Sequence, residues 1–283
     1  MTSIVGNKLN SANKKVLDRM NKMDFEFIKK EAQAQIESGA EYIEVNALSL
    51  LHNETPFLLE IIPMLEKLGS KLVIVSENVE ALKQALLIAK NPIIIGAVEY
   101  DIEKIDYLID TVLEKNAKII ALIKDKRNNH HSSTPEKALL IAQKYIDYLL
   151  DRGMKRQDIL LDPMILPLEE DFNSGRVFLD TLELFKLDFP QVKTMANVSQ
   201  LSEGLPKRHL IASYFVSLAI AKGLDYIVTN VLDENFIESI ITTMSIIGKD
   251  KNLQSYLKYC RNHKESKLKG IKDAGSKNKR DLN

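Results

Sequence analysis

Two segments of the sequence place a polar side chain directly after a short apolar run. Asp162 follows the run Ile159–Leu161, and Asn197 follows the run Val192–Ala196. In proteins with parallel strands, ligands bind at the edge where the carboxyl ends of the strands meet. The sequence therefore predicts that a carboxylate and an amide, from Asp162 and Asn197, enter one binding site at the mouth of a sheet or barrel.

The other predicted strand ends supply amides and carboxylates but few nucleophiles. They carry Gly6, Asn7, Lys8, Asn10, Glu44, Asn46, Ser76, Glu77, Asn78, Gly96, Glu99, Lys124, Asp125, Ser199, Gln200, Thr229, Asn230 and Asp233. The sequence contains no Gly-x-Ser-x-Gly elbow, no phosphate-binding loop and no plausible catalytic triad. Such a set suits recognition of a flat, hydrogen-bonding heterocycle better than acyl or phosphoryl chemistry.

Short strand-like runs alternate eight times with longer amphipathic segments. The predicted strands are Ser3–Val5, Tyr42–Val45, Lys71–Val75, Pro92–Ile95, Lys118–Ile123, Ile159–Leu161, Val192–Met195 and Tyr226–Val228. The predicted helices are Phe25–Glu37, Phe57–Leu68, Val79–Ala89, Ile102–Glu114, Pro135–Leu150, Val177–Phe185, Pro206–Ala221 and Glu234–Ile247. Eight such units predict an α/β fold, a (β/α)8 TIM barrel. A doubly wound open sheet is the alternative, but no glycine-rich fingerprint follows the first strand.

The composition is that of an ordinary globular protein. Of 283 residues, 45% are hydrophobic and 28% charged, and the formal net charge is zero, so nothing favours nucleic acid or membrane partners. The single cysteine excludes an intrachain disulfide. Without a signal-like amino terminus or a long apolar stretch, the sequence predicts a cytoplasmic protein.

The sequence predicts that the barrel occupies residues 1–248. Residues 249–283 contain eleven Lys or Arg and four Asp or Glu, which predicts a short helix to about Cys260 and then a basic, solvated tail. A polar connection, Lys124–Thr134, is long enough to be a mobile loop over the mouth. Its pair His130-His131 has no third ligand at metal-binding spacing, so no bound metal is predicted.

Several segments, taken together, resemble the pterin-binding methyltransferases. They are Ile4–Asn10, Gly39–Asn46, Leu161-Asp162-Pro163-Met164-Ile165-Leu166-Pro167, Asn197-Val198-Ser199-Gln200 and Gly204-Leu205-Pro206-Lys207-Arg208. That family includes the methyltetrahydrofolate:corrinoid protein methyltransferases and the folate domain of cobalamin-dependent methionine synthase. Dihydropteroate synthase resembles the chain more distantly. The similar segments recur in order at predicted strand ends, over roughly residues 3–248.

The resemblance implies a dihydropteroate-synthase-like barrel, usually dimeric, that binds 5-methyltetrahydrofolate as substrate. It implies methyl transfer between N5 of that folate and the cobalt of a corrinoid (cobalamin) carried by a partner protein. It also implies that Asp162 anchors the pterin, that Asn197 hydrogen-bonds N5, and that Glu44 is the acid on strand two. Further substrate-binding candidates are Asn46, Gly96, Ser199, Gln200 and Arg208.

The sequence departs from the family pattern on strands three and four. Relatives usually carry an aspartate and an asparagine there, both on the pterin ring, where this chain has Val75 and Gly96. An alternative is therefore a family member that has lost pterin binding and acts on another methyl donor or as a corrinoid-protein-binding subunit. A third alternative, a Schiff-base lyase, would use Lys124 at the end of strand five.

Overall fold

Eight parallel strands form a closed barrel. The computed structural model describes residues 2–125, 130–131 and 134–261. The barrel strands are β1 (Ser3–Asn10), β2 (Tyr42–Asn46), β3 (Lys71–Val75), β4 (Ile94–Glu99), β5 (Lys118–Leu122), β6 (Ile159–Asp162), β7 (Lys193–Asn197) and β8 (Tyr226–Thr229). Each strand pairs with the next, and β8 pairs with β1, which closes the ring. The predicted (β/α)8 barrel is confirmed, and the open-sheet alternative is wrong.

Helices follow the strands around the outside. Within the described residues they are α1 (Lys14–Asn21), α2 (Phe25–Glu37), α3 (Glu54–Glu66), α4 (Val79–Ile88), α5 (Ile102–Glu114), α6 (Pro135–Asp151), α7 (Ser174–Asp188), α8 (Arg208–Ala221) and α9 (Glu234–Ile246). The predicted start of α6 is confirmed, because the Thr134 side chain accepts a hydrogen bond from the backbone N–H of Lys137. Helix α1 was not predicted, because it is only eight residues long and these are mostly polar. Its first turn is nevertheless capped by Asn13.

The barrel interior is packed with apolar side chains. They come from β1 and from β3 to β8 and form one cluster of Val5, Val73, Ile94, Ile120, Leu160, Met195, Tyr226 and Val228. Larger apolar clusters join the outer faces of the strands to the helices. Because side chains fill the interior, a ligand finds room only above this cluster, at the carboxyl ends of the strands.

Beyond α9 the chain leaves the barrel pattern. A turn at Lys251–Leu253 precedes a helical segment over 254–261. The predicted basic tail from residue 263 lies outside the described residues, as do residues 126–129 and 132–133 of the predicted mobile loop. Lys124–Asp125 pairs antiparallel with His130–His131 at the base of that loop. In the part of the chain described, no helix has the length and apolar character needed to span a membrane.

Candidate active site

A cavity of about 770 Å³ opens at the carboxyl ends of the barrel strands. All eight strands contribute side chains to its lining. An apolar floor is formed by Val75, Ala97, Ile120, Met195 and Val228. Polar groups from β1, β2, β6, β7 and β8 surround this floor, so the cavity offers an apolar surface for a flat ring and hydrogen-bonding groups for its edge.

Asp162, the last residue of β6, lines the cavity. One carboxylate oxygen, Oδ1, accepts a hydrogen bond of 2.9 Å from the backbone N–H of Met164, two residues further along. The other oxygen has no hydrogen-bond partner among the described residues, so Asp162 can hold its turn and still bind a ligand. Burial raises the pKa of Asp162 to about 6, and the Met164 hydrogen bond opposes part of that rise.

Glu44, on β2, is a buried carboxylate that lines the same cavity and is only 6% exposed. Burial, together with the nearby charge of Asp162, raises the pKa of Glu44 to about 7, and a hydrogen bond with the Asn46 side chain opposes part of that rise. No described lysine or arginine forms an ion pair with Glu44. Because Asp162 has the lower pKa, it ionises first, and the pair carries between one and two negative charges near neutral pH.

Asn197, the last residue of β7, lines the cavity next to the strand that carries Asp162. Its carbonyl oxygen Oδ1 is buried and has no hydrogen-bond partner within the described structure. Since this oxygen is inaccessible, the amide nitrogen is the end of the side chain that a ligand can reach. Asn197 therefore offers the cavity a hydrogen-bond donor. A buried polar atom without a partner is costly, and such costs are typical of functional sites.

The structure brings together most of the other predicted site residues. Asn46, Ser199, Gln200 and Arg208 all line the cavity, and Arg208 is the first residue of α8. Gly96 does not line it, because its Cα faces Ile120. A Cβ at position 96 would lie 2.6 Å from the Ile120 Cβ, which explains why only glycine fits there.

Ala97 and His209 are lining residues that the sequence analysis missed. Ala97 was missed because β4 begins at Ile94, two residues later than predicted, so its carboxyl end moves forward along the chain. His209 follows Arg208 in the first turn of α8 and shares its position at the rim. For His209, no pattern in the sequence points to the cavity.

Polar residues near β3 and β4 do not replace the missing ring ligands. Asn78 caps α4 through its side-chain oxygen, which accepts from the backbone N–H groups of Glu80 and Ala81. Glu99 pairs with Lys124 at 2.9 Å. None of the polar residues nearest the ends of β3 and β4, Glu77, Asn78 and Glu99, lines the cavity. Lys124 is held in an ion pair away from the cavity, which argues against a Schiff-base lyase.

The described residues contain no group of three or more His, Cys, Asp or Glu side chains placed to hold a metal ion. The side chains of His130 and His131 lie outside that description. The polar groups around the cavity are four carboxylates, of which Glu44 and Asp162 are on strands, and several amides, and this set suits a hydrogen-bonding organic ligand.

The fold and the cavity define a (β/α)8-barrel protein with its ligand site at the carboxyl ends of the strands. The family described as "Pterin binding enzyme" matches residues 6–230, and the chain belongs to that family. The predicted membership is thereby confirmed, and with it the prediction of an enzyme.

Known relatives agree with this assignment. A methylcorrinoid:tetrahydrofolate methyltransferase of Eubacterium limosum is 26% identical over 266 residues, which are 92% of this chain and 97% of that protein. A dihydropteroate synthase of Clostridium difficile, solved in the presence of pteroic acid, matches with a TM-score of 0.66 at 17% identity, covering 87% of this chain and 96% of that one. The synthase of Anaplasma phagocytophilum with bound 6-hydroxymethylpterin-monophosphate matches with a TM-score of 0.62 at 20% identity, covering 87% and 99%. These two structures establish similarity of fold.

Proposed function

We propose that this protein is a methyltransferase that moves a methyl group between a tetrahydrofolate and the cobalt of a corrinoid carried by a partner protein. The observation that carries the proposal is the convergence of Asp162 and Asn197 on one cavity above an apolar floor. The relative from Eubacterium limosum, a methylcorrinoid:tetrahydrofolate methyltransferase by name, supports the choice of substrates.

Asp162 is proposed to hold the pterin ring. Its second carboxylate oxygen accepts hydrogen bonds from the amino group and the ring N–H of the pterin, and these bonds are strengthened by the negative charge. The apolar side chains of Val75, Ala97 and Ile120 lie on the floor below the ring. Glu44 and Asn46, which interact with one another on β2, provide further polar contacts at the ring edge.

Asn197 is proposed to act at N5 of the folate. Its amide N–H donates a hydrogen bond to N5, and this bond strengthens as the methyl group passes to cobalt(I) and N5 keeps the bonding electron pair, which takes up a proton from solvent. In the opposite direction this hydrogen bond is released as the N5 electron pair attacks the methyl group on the corrinoid, and the N5 proton passes to solvent. This role is positioning and electrostatic stabilisation, with no covalent bond to the protein.

A second candidate function is favoured by one observation. Val75 and Gly96, at the positions where relatives present an acid and an amide, offer no side-chain hydrogen bonds, and neither does Ala97 beside Gly96, so the ring loses two expected contacts. A methyl donor with a less polar ring fits this floor, and the protein then transfers a methyl group from that donor or serves as a binding subunit for the corrinoid protein.

The test of the proposed function is calorimetric titration with 5-methyltetrahydrofolate, followed by a methyl-transfer assay to cob(I)alamin. The proposal expects binding and turnover, with turnover reduced much more than binding in Asn197→Ala. Asn235→Ala, at an exposed position on α9, is the matched control and is expected to behave like the wild type. A wild-type protein that binds no folate at millimolar concentration supports the second candidate.

The corrinoid protein is proposed to dock over the mouth of the barrel. Three leucines on the loops that surround the mouth, Leu48, Leu51 and Leu232, are 38%, 72% and 38% exposed. Leu48 also lines the cavity, so a protein resting on these side chains places its cofactor directly above the substrate. Leu51→Asp is expected to raise the KM for the corrinoid protein and to leave folate affinity unchanged.

A homodimer is proposed through α7 and α8. Leu210, Tyr214 and Leu218 recur every four residues on α8 and are 47%, 69% and 54% exposed, beside a largely apolar groove of about 590 Å³. Such a stripe is stabilised when a second copy covers it. Sedimentation analysis of Tyr214→Glu tests this: the variant should be monomeric, whereas Leu140→Glu, on α6, should remain a dimer.

A further inference from the structure

Arg208 is the only arginine or lysine among the described residues that line the cavity. The carboxylates of the lining are Glu44, Asp162, Glu203 and Asp233. An anionic part of a ligand is repelled by these four groups, although the raised pKa values of Glu44 and Asp162 reduce their charge. The cavity therefore offers a negatively charged group one favourable position, beside Arg208.

The guanidinium of Arg208 is available for a ligand. The residue is exposed, and it makes no ion pair or hydrogen bond within the described structure. Asp233, the acid that follows β8, accepts a hydrogen bond from the backbone N–H of Phe236 at the start of α9. Glu203 lines the same cavity but lies beyond ion-pair distance of Arg208. An unpaired guanidinium can make two parallel hydrogen bonds to a carboxylate.

The start of α8 adds to this positive potential. Lys207, the residue before the helix, provides no side-chain hydrogen bond to the N–H groups of the first turn. These N–H groups and the helix dipole favour a negative charge at this end of the helix. Arg208 and His209 belong to that first turn, and both line the cavity.

Arg208 lies in a different part of the cavity from the residues that are proposed to hold the pterin. Asp162 and Asn197 are at the strand ends, whereas Arg208 is exposed at the start of an outer helix. A pterin held at the strand ends must direct its remaining atoms outward toward the opening. For a folate, those atoms are the benzoyl group and a glutamate that carries two carboxylates.

We infer that Arg208, supported by His209 and the start of α8, binds the carboxylates of the glutamate tail of the folate. This inference rests on the proposed function. It implies that Arg208 makes the protein bind a folate more tightly than a tetrahydropterin that lacks the tail. The contact is made in the binary complex, before any corrinoid protein arrives.

The test compares two ligands on the full-length protein by calorimetric titration. The ligands are 5-methyltetrahydrofolate and 5,6-dimethyltetrahydropterin, which lacks the benzoylglutamate tail. Arg208→Gln is expected to weaken folate binding about tenfold or more, the typical effect of losing a hydrogen bond to a charged group, and to leave tetrahydropterin binding unchanged. Added salt should weaken folate binding by the wild type more than by the variant, because the lost contact is ionic.

Lys207→Gln is the matched control, since it removes one positive charge at the adjacent residue, which does not line the cavity. Equal effects of Arg208→Gln on both ligands, or none on either, would overturn the inference while the proposed function stands. An unchanged folate affinity with a raised KM for the corrinoid protein would overturn it too, because Arg208 would then contact the partner. Absence of binding of both ligands to the wild type would refute the proposed function itself.

Discussion

Asp162→Asn is expected to stabilise the free protein and to weaken its affinity for the pterin. Burial raises the pKa of Asp162 from 3.8 to about 6, so the folded protein binds a proton more tightly than the unfolded chain does. The free energy of unfolding therefore falls as the pH rises from about 4 to about 6, and the loss is complete at neutral pH. Asparagine has no charge to desolvate, so the substitution removes this loss.

The magnitude follows from the raised pKa. At about 1.4 kcal/mol per pKa unit, a rise from 3.8 to about 6 corresponds to about 3 kcal/mol. This is an upper bound, because the side chain keeps some contact with the solvent of the cavity. Asparagine also keeps an oxygen that accepts the 2.9 Å hydrogen bond from Met164, so the turn after β6 is preserved. A gain of about 1–2 kcal/mol at pH 7 is the expected result, or a few degrees in Tm.

Binding should change in the opposite direction. Because the asparagine oxygen stays with the Met164 N–H, the asparagine presents its amide N–H group to the two pterin donors and accepts neither of their hydrogen bonds. Losing a charge-assisted hydrogen bond costs about 1.5–3 kcal/mol, so the loss of one weakens pterin binding by at least about tenfold and the loss of both by at least about a hundredfold.

Urea unfolding at pH 5 and pH 7 measures the first effect, and calorimetry with 5-methyltetrahydrofolate measures the second. Asp188→Asn, at an exposed position at the end of α7, is the control and is expected to change neither quantity. A variant of Asp162 that is less stable than the wild type at pH 7 would refute the argument from burial. A variant that keeps wild-type affinity would refute the role of Asp162 in binding.

Three further predictions concern β2, β7 and β4. Glu44→Gln should flatten the fall in unfolding free energy between pH 4.5 and 7, because it removes a carboxyl whose pKa rises to about 7 on folding; equal pH slopes in urea titrations of both proteins would contradict this. Asn197→Ala should lower kcat by about tenfold to a hundredfold in single-turnover methyl transfer while changing folate affinity only a fewfold, and a loss confined to affinity would count against a role at N5. Gly96→Ala should lower the free energy of unfolding by about 1–3 kcal/mol in thermal melts, since its Cβ would lie 2.6 Å from that of Ile120. An unchanged Tm would contradict this and would show that β5 shifts to make room for the added Cβ.

The sequence by itself determined the architecture and singled out Asp162 and Asn197, which both line the cavity. Alternation of short Ile- and Val-rich runs with amphipathic segments predicted all eight strands and the barrel, because buried parallel strands and surface helices have different periodicities. Asp162 and Asn197 were found because each polar residue directly ends an apolar run, and parallel strands end at one edge. Helix ends with strong local signals, such as Thr134 before Pro135, were predicted for the same reason: their cause lies within a few residues.

Tertiary structure alone decided which polar residues face the cavity and what charge they carry. Asn78 and Glu99 are near strand ends, yet Asn78 caps a helix, Glu99 forms an ion pair with Lys124, and neither lines the cavity. The pKa of Glu44 depends on burial and on a carboxylate more than a hundred residues away in the chain. These properties come from desolvation and from contacts between strands that are distant in sequence, and a local pattern contains no record of either.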